Sequence, residues 1–276
     1  MNSSSTVSER DQALALRYGE NAIPGAGPWS PVIASLLSHR SVRRYKSTPL
    51  EPGTLETLVA AGQSAATSSN LQCWSVLSVS DPAVRSELAT IAGNQKHIEQ
   101  CPLFLVWICD LSRNQRLGQA VGLDLEALKL TESFMVGVID AALAAQNAVV
   151  AAESLGLSTV YIGALRNDAE RVAQILELPK GAVAVFGLCV GYADTDSEVK
   201  PRLPQKAILF ENKYVIKDED QTRQAYDQTL GNFSKRHEMA QSTWSERVID
   251  RTQKKSAVSG RARLRSILEK LGFPLN

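Results

Sequence analysis

Histidine and cysteine are scarce in this chain of 276 residues: it has three histidines (His39, His97, His237) and four cysteines (Cys73, Cys101, Cys109, Cys189). The histidines lie far apart and no H-E-x-x-H occurs, so a zinc enzyme has no ligand set. No C-x-x-C joins any two cysteines, and each sits in a strand-like or apolar stretch; they read as buried free thiols rather than a disulfide or metal site. No G-x-G-x-x-G follows a strand and no G-x-x-x-x-G-K-[ST] appears, which leaves Rossmann and P-loop nucleotide sites unsupported. A G-x-S-x-G elbow is also missing, and with it the anchor for serine-hydrolase chemistry. Net charge is nearly absent, since 30 Lys and Arg against 29 Asp and Glu leave +1. That balance gives no global footprint for nucleic acid or anionic lipid. The opening "MNSSSTVSER" lacks the apolar core of a secretory signal. The longest apolar run, residues 134–152, approaches bilayer-spanning length but is interrupted by Asp140, Gln146 and Asn147. The expectation is a cytoplasmic protein with no nucleic-acid, membrane or metal partner, built as one large domain or two intimate ones.

What is present reads as alternating helix and strand. Residues 1–30 end in "NAIPGAGPWSP", whose Pro and Gly spacing predicts a loop or arm. "PVIASLLSH" has helical apolar spacing, and a further helix opens near Pro52. "CWSVLSVSD" alternates as a half-buried strand, after which Asp81 caps and Pro82 opens a helix closed by Gly93. "CPLFLVWICD" (101–110) and "AVAVFGLCVGYA" (182–193) read as strands buried on both faces. From Thr131, taken as a cap, to Gly156 the chain is strongly helical. Ser133, Asp140, Asn147 and Ser154 recur there every seven residues, a narrow polar stripe on a helix otherwise buried against the core or a second subunit. "STVYIGAL" leads to a helix over 167–178 capped by Asn167 or Asp168. Beyond residue 200 the chain turns polar, with little core of its own until the amphipathic "VSGRARLRSILEKLGF", and is expected to pack across a partner subunit. By this pattern alone the sheet would be parallel.

Two dense cationic groups stand out, "HRSVRR" (39–44) and "KPRLP" (200–204), about 160 residues apart. Taken singly, each reads first as a solvated surface patch. Together, arginine forks and a lysine point charge can hold a phosphate monoester without a Gly-rich loop. The residue types leave both possibilities standing.

In order along the chain, "HRSVRRY", "ATSSNLQCW", "GNQKH", "AAQNAVVAAESLGLSTVYIGALRN", "FGLCVGYA" and "KPRLP" resemble the nitroreductase superfamily, specifically the group A oxygen-insensitive nitroreductases and NADPH flavin reductases. The resemblance implies an α+β nitroreductase fold: a mainly antiparallel central sheet wrapped by helices, in an intertwined homodimer with an extended C-terminal region. It implies an N-terminal arm (1–30), an FMN-binding core (31–205) and a C-terminal extension (206–276) that packs on the partner and lies near the NADPH site. The implied activity is an FMN-dependent NAD(P)H oxidoreductase that passes hydride through flavin N5 by ping-pong to nitroaromatics, quinones or related small aromatic acceptors. A flavin reductase supplying reduced flavin, or a non-catalytic flavin-binding or sensing protein, are the alternatives.

The same resemblance assigns roles, none of them a protein acid, base or nucleophile. His39 and Arg40 sit by the FMN phosphate and ribityl chain, Ser41 bonds the ribityl or phosphate oxygens, and Arg43 reaches the N1/O2 side of the ring, where reduction leaves negative charge. Lys200 and Arg202 complete the phosphate site. Ser68, Ser69, Asn70 and Gln72 line the flavin from the other subunit, and Gln95 bonds the pyrimidine edge. Tyr161, Ile162, Gly163 and Ala164 pass the N5 edge, with Ala164 where the family has a second glycine. Lys235 and Arg236 are the candidates for the NADPH 2′-phosphate, in a segment that is about two residues shorter than the family pattern. Arg44 and Lys46 match no ligand position and are expected to be solvated.

Overall fold

The computed structural model describes residues 8–19, 23–25, 27–240, 243–254 and 260–276. Its elements run α1 (Glu9–Tyr18), α2 (Pro31–Ser38), α3 (Thr54–Gln63), β1 (Trp74–Ser78), α4 (Pro82–Ile91), α5 (His97–Gln100), β2 (Leu103–Asp110), α6 (Ser112–Ala120), α7 (Thr131–Ser154), β3 (Ser158–Ile162), α8 (Ala169–Ile175), β4 (Ala182–Gly191), α9 (Glu219–Arg236), α10 (Trp244–Thr252) and α11 (Leu264–Lys270). They form two compact units, each made of two separate stretches of chain: residues 1–40 with 197–257, and residues 41–196 with 258–276.

The second unit is α+β. Its four strands lie in the order β1-β2-β4-β3, antiparallel throughout. Alternating helices and strands predict a parallel sheet, and the departure has a simple origin. Strands β2 and β3 do run in the same direction, but β4 inserts between them and opposes both. The period-2 geometry of β2 then explains why "LFLVWICD" is apolar at every position but the last. Phe104, Val106 and Ile108 enter one core with Leu88 of α4 and Val172 of α8, while Leu103, Leu105 and Trp107 enter another with Leu58 of α3 and the alanines of α7. A third cluster seats Ile267 and Leu268 of α11, with Phe273, against Cys109, Leu111 and Val183. All four cysteines are free and buried.

Helix α7 departs from expectation in two respects. Leu130, not Thr131, holds the N-cap position; Thr131 is the first helical residue, and both its N–H and its hydroxyl donate to Asn276 O at 3.3 Å, so a distant carbonyl satisfies the helix start. The polar stripe is not an outer seam either. Asp140 is 2% exposed and Asn147 Nδ2 reaches Ala61 O in α3, whereas Met135, Ile139 and Leu143, in a row flanking that stripe, are exposed. The helix is long and apolar enough to cross a membrane by length and composition. Its buried alanines and Asp140 make it a core helix of this unit.

The first unit holds α1, α2, α9 and α10. The arm expected over 1–30 carries helix α1, capped by the Ser8 side chain, which accepts from Asp11 N. Tyr226, Leu230 and Phe233 of α9 are buried with Leu203, Met239 and Trp244 packed against them. The polar stretch after residue 200 therefore owns a small apolar core, which its low density of apolar residues concealed. A capping box, Thr243 with Glu246, opens α10.

Candidate functional site

Each cationic group is positioned by buried neighbours. In the first unit, Arg17 is 6% exposed and its guanidinium donates to three carbonyls: Lys200 O at 3.0 Å, Leu37 O at 2.6 Å and His39 O at 2.9 Å. The Arg17 carbonyl accepts from Arg202 N at 2.8 Å, and Tyr226 Oη donates to Pro201 O at 2.9 Å. The backbones of His39 and of the Lys200–Arg202 segment are thereby held together by the side chain and carbonyl of Arg17, with Tyr226. Arg40 and Arg202 are exposed, and neither forms an ion pair among the described residues.

In the second unit, residues 41–46 cross the ends of β3 and β4. Ser41 bridges Thr159, Val42 N donates to Thr159 O at 3.0 Å, Tyr45 bridges Ala193 and Lys46 N donates to Tyr192 O at 2.9 Å. Val42 and Tyr45 point into the core, and Ser41, Arg43 and Arg44 remain exposed. Tyr45 Oη donates to Val42 O at 2.7 Å, which braces the turn that carries Arg43. Arg44 is not merely solvated, since its Nη2 donates to Thr195 Oγ1 at 2.9 Å. His97 is 9% exposed; burial, reinforced by the positive charge of Arg43, lowers its pKa below the ordinary histidine value. Its buried Nε2 has no hydrogen-bond partner among the described residues.

The segment with Ser68, Ser69, Asn70 and Gln72 is exposed and strained. Ser69, Asn70 and Gln72 have φ of 48°, 55° and 51°, a left-handed conformation that non-glycine residues rarely adopt. Buried Asp140 holds its ends: Oδ2 accepts from Thr67 Oγ1 at 2.6 Å and Cys73 N at 3.2 Å, and Oδ1 accepts from Ser68 N at 3.2 Å. Arg113 Nη1 donates to Gln72 O at 3.1 Å. Gln95 spends its Nε2 on Ala92 O, one turn back.

Along β3, Tyr161 Oη donates to Gln146 Oε1 at 3.2 Å and its ring meets Phe186 edge-on. Ile162 is buried and Gly163 half-buried; a Cβ on Gly163 would lie 3.2 Å from Arg166 Nη2. Ala164 packs against the cluster containing Ile162 and Leu165, so its methyl has an apolar seat. In the first unit, Arg236 pairs with Glu198 at 3.1 Å and lies 5.8 Å from the Phe233 ring centroid, whereas Lys235 is exposed with no ion pair among the described residues.

The family comparison decides what the parts belong to. The model of the "Nitroreductase family" matches residues 36–192, and that of the "Nitroreductase family, C-terminal domain" matches residues 200–276. The chain belongs to the nitroreductase family. Among its relatives, a protein named FMN reductase (NADPH) from Bacillus subtilis is 38% identical over 88% of this chain and 98% of its own length. An oxygen-insensitive NADPH nitroreductase from Salmonella typhimurium is 37% identical over 79% of this chain and 90% of its own. The solved structure of NfrA1 nitroreductase from B. subtilis superposes with a TM-score of 0.83 at 38% identity, covering 89% of this chain and all of the other. NADPH:FMN oxidoreductase from Vibrio harveyi, solved with NAD+, gives 0.80 at 36% identity, over 90% of this chain and all of its own.

Sequence reading missed three organising residues of this nitroreductase-family chain. Asp140 was visible only as part of the seven-residue stripe, and Arg113 carries no motif. Arg17 lies before the first residue that either family model matches. The signal that could have found its helix is Ser8 followed three residues later by Asp11.

Proposed function

We propose that this member of the nitroreductase family is an FMN-dependent NADPH oxidoreductase that reduces small aromatic acceptors such as nitroaromatics and quinones. The observation that carries the reading is the meeting of His39 and Lys200 on the single guanidinium of Arg17, whose carbonyl also takes Arg202 N. Two cationic segments far apart in sequence are held together with Arg40 and Arg202 exposed. That arrangement fits a phosphate monoester.

His39, Arg40, Lys200 and Arg202 would hold the FMN phosphate, and Ser41 would bond the ribityl chain or phosphate. Arg43 would hold a fixed positive charge toward the pyrimidine side of the ring, on a turn stiffened by buried Val42 and Tyr45. Gln95, with its amide turned back on Ala92, would meet the ring edge through its remaining oxygen. Gly163 would admit the ring close to the backbone beside Tyr161, Ile162 and Ala164. When bound, FMN would supply the redox chemistry, two-electron exchange between nicotinamide and acceptor. The chain contributes position, charge and exclusion of water, and no proton-transferring side chain is required. For the 2′-phosphate of NADPH, Lys235 is the open cation and Arg236 the one tied to Glu198.

Exposed Met135, Ile139 and Leu143 on α7 support a homodimer, the arrangement in which the strained loop carrying Ser68, Ser69, Asn70 and Gln72 would reach the partner's flavin. A cytoplasmic location is part of the same reading. A second reading, release of reduced flavin to another enzyme, is favoured by relatives named FMN reductase (NADPH) and NADPH-flavin oxidoreductase. The binding-only alternative loses ground, because Ala164 is seated in the core.

Anaerobic stopped-flow of the FMN-loaded protein against NADPH and NADH tests the proposal. Bleaching of flavin absorbance near about 450 nm by NADPH, reversed by a nitroaromatic or quinone, is expected. Failure to retain FMN would sink the reading, and recovery of reduced flavin free in solution would favour the second.

A further inference from the structure

We infer that α1 is a positioning element for the phosphate-holding face of the proposed flavin site, acting through Arg17; the inference rests on the reading above. Nothing in the family match requires this helix, since the matched segments begin at residue 36. Yet its one buried cation is committed to the backbone of the segments assigned to the phosphate, at His39 O and Lys200 O.

The chemistry of the clamp suits that task. Lysine and arginine side chains are long and flexible, so cations gathered for a phosphate are effective only if their Cα atoms are fixed. Three consecutive residues are fixed here: Arg17 takes Lys200 O, Tyr226 takes Pro201 O, and the Arg17 carbonyl takes Arg202 N. The same planar guanidinium takes His39 O at 2.9 Å and Leu37 O at 2.6 Å, at the point where α2 ends. A guanidinium has a rigid fork of donors, so the peptide groups of residues 39 and 200 are held in one fixed relation. Leu14, on the same helix, is 7% exposed, and a Cβ on Gly19 would lie 3.1 Å from Thr229 of α9. The helix is therefore seated by its own packing, and Arg17 spends its donors on the two backbone segments in which exposed Arg40 and Arg202 lie. Arg17 touches no substrate in this scheme; it acts through His39, Lys200 and Arg202.

The test compares FMN with riboflavin, which lacks the phosphate, by fluorescence titration of the full-length protein and of Arg17→Gln and Arg17→Lys. The native protein should bind FMN more tightly than riboflavin. In Arg17→Gln the FMN dissociation constant should rise about tenfold or more while that of riboflavin stays within about twofold, the scale of a lost charge-assisted contact. Arg17→Lys, keeping a charge but fewer donors, should fall between. If both flavins weaken equally in the folded variants, Arg17 is merely structural and the inference is overturned. If the native protein does not distinguish FMN from riboflavin, the phosphate reading itself fails. Should Arg17→Gln not fold, inorganic phosphate decides. Its elevation of the thermal unfolding midpoint should be smaller in Arg17→Lys than in the native chain, and an equal elevation overturns the inference.

Discussion

Replacing Asp140 by alanine should unfasten the 67–73 loop. The carboxylate is 2% exposed and accepts from Thr67 Oγ1, Ser68 N and Cys73 N. Cys73 is buried, so in Asp140→Ala its N–H is stranded without water, whereas Ser68 is exposed and can rehydrate. One stranded donor together with two lost bonds to a charged acceptor amounts to about 4 kcal/mol or more. Asparagine discriminates between the bonds. With its oxygen in the Oδ2 position it keeps Thr67 and Cys73 but turns its NH₂ toward Ser68 N–H, so Asp140→Asn should cost only about 1–2 kcal/mol. The left-handed backbone of Ser69, Asn70 and Gln72 should then relax, because such strain persists only while its surroundings impose it. Urea unfolding gives the stability change and amide exchange at residues 68–73 reports the loop. A stability loss below about 0.5 kcal/mol in Asp140→Ala, or equal losses in the two variants, would refute the reasoning.

Gly137 of α7 lies so close to β2 that an added Cβ would meet Cys109 Sγ at 2.5 Å. Gly137→Ala should destabilise by about 1–3 kcal/mol, and Cys109→Ala in the same chain should recover part of the loss, because the remaining Cys109 Cβ is 3.6 Å away. Additive losses in thermal unfolding would count against this account. Burial pushes the carboxyl of Asp110 up, but hydrogen bonds from Ser112 and Ser75 and the charge of Arg113 outweigh it, leaving the pKa below the ordinary value. Its contribution to stability is therefore complete above the ordinary carboxylate range and is lost as pH falls through the lowered one. Asp110→Asn should flatten the acid limb of the unfolding midpoint measured between about pH 6 and pH 2, and an unchanged acid limb would contradict that linkage.

The strands were legible because burial on both faces leaves a plain signature: "CPLFLVWICD" can be little else. Helix α4 was legible from Asp81 and Pro82, since a cap and a fixed φ act locally. Strand direction was not, because the position of β4 between β2 and β3 is a long-range fact that no local period records. Motif order along the chain supplied the antiparallel sheet instead. Within the site, the cationic segments could be read, but what holds them could not. Arg17 bonds carbonyls at residues 37, 39 and 200, and every residue has a carbonyl, so such a clamp leaves no mark in the partners' identities. Asp140 shows the converse: its period was visible, but periodicity does not tell an outer polar stripe from an inner one.

Both units are built from stretches far apart in the chain, and this bears on how the protein is made. Cys109, Leu111 and Val183 are synthesised well before Ile267, Leu268 and Phe273, which complete their cluster. The start of α7 likewise waits for the carbonyl of Asn276. Arg17 emerges long before its acceptor at Lys200, which comes only after the entire sheet. Neither unit can close until its own second stretch has been made, residues 197–257 for one and 258–276 for the other, so the nascent chain passes through an interval in which the sheet has uncovered apolar surface. That interval is when the chain is most open to misassembly and to chaperones.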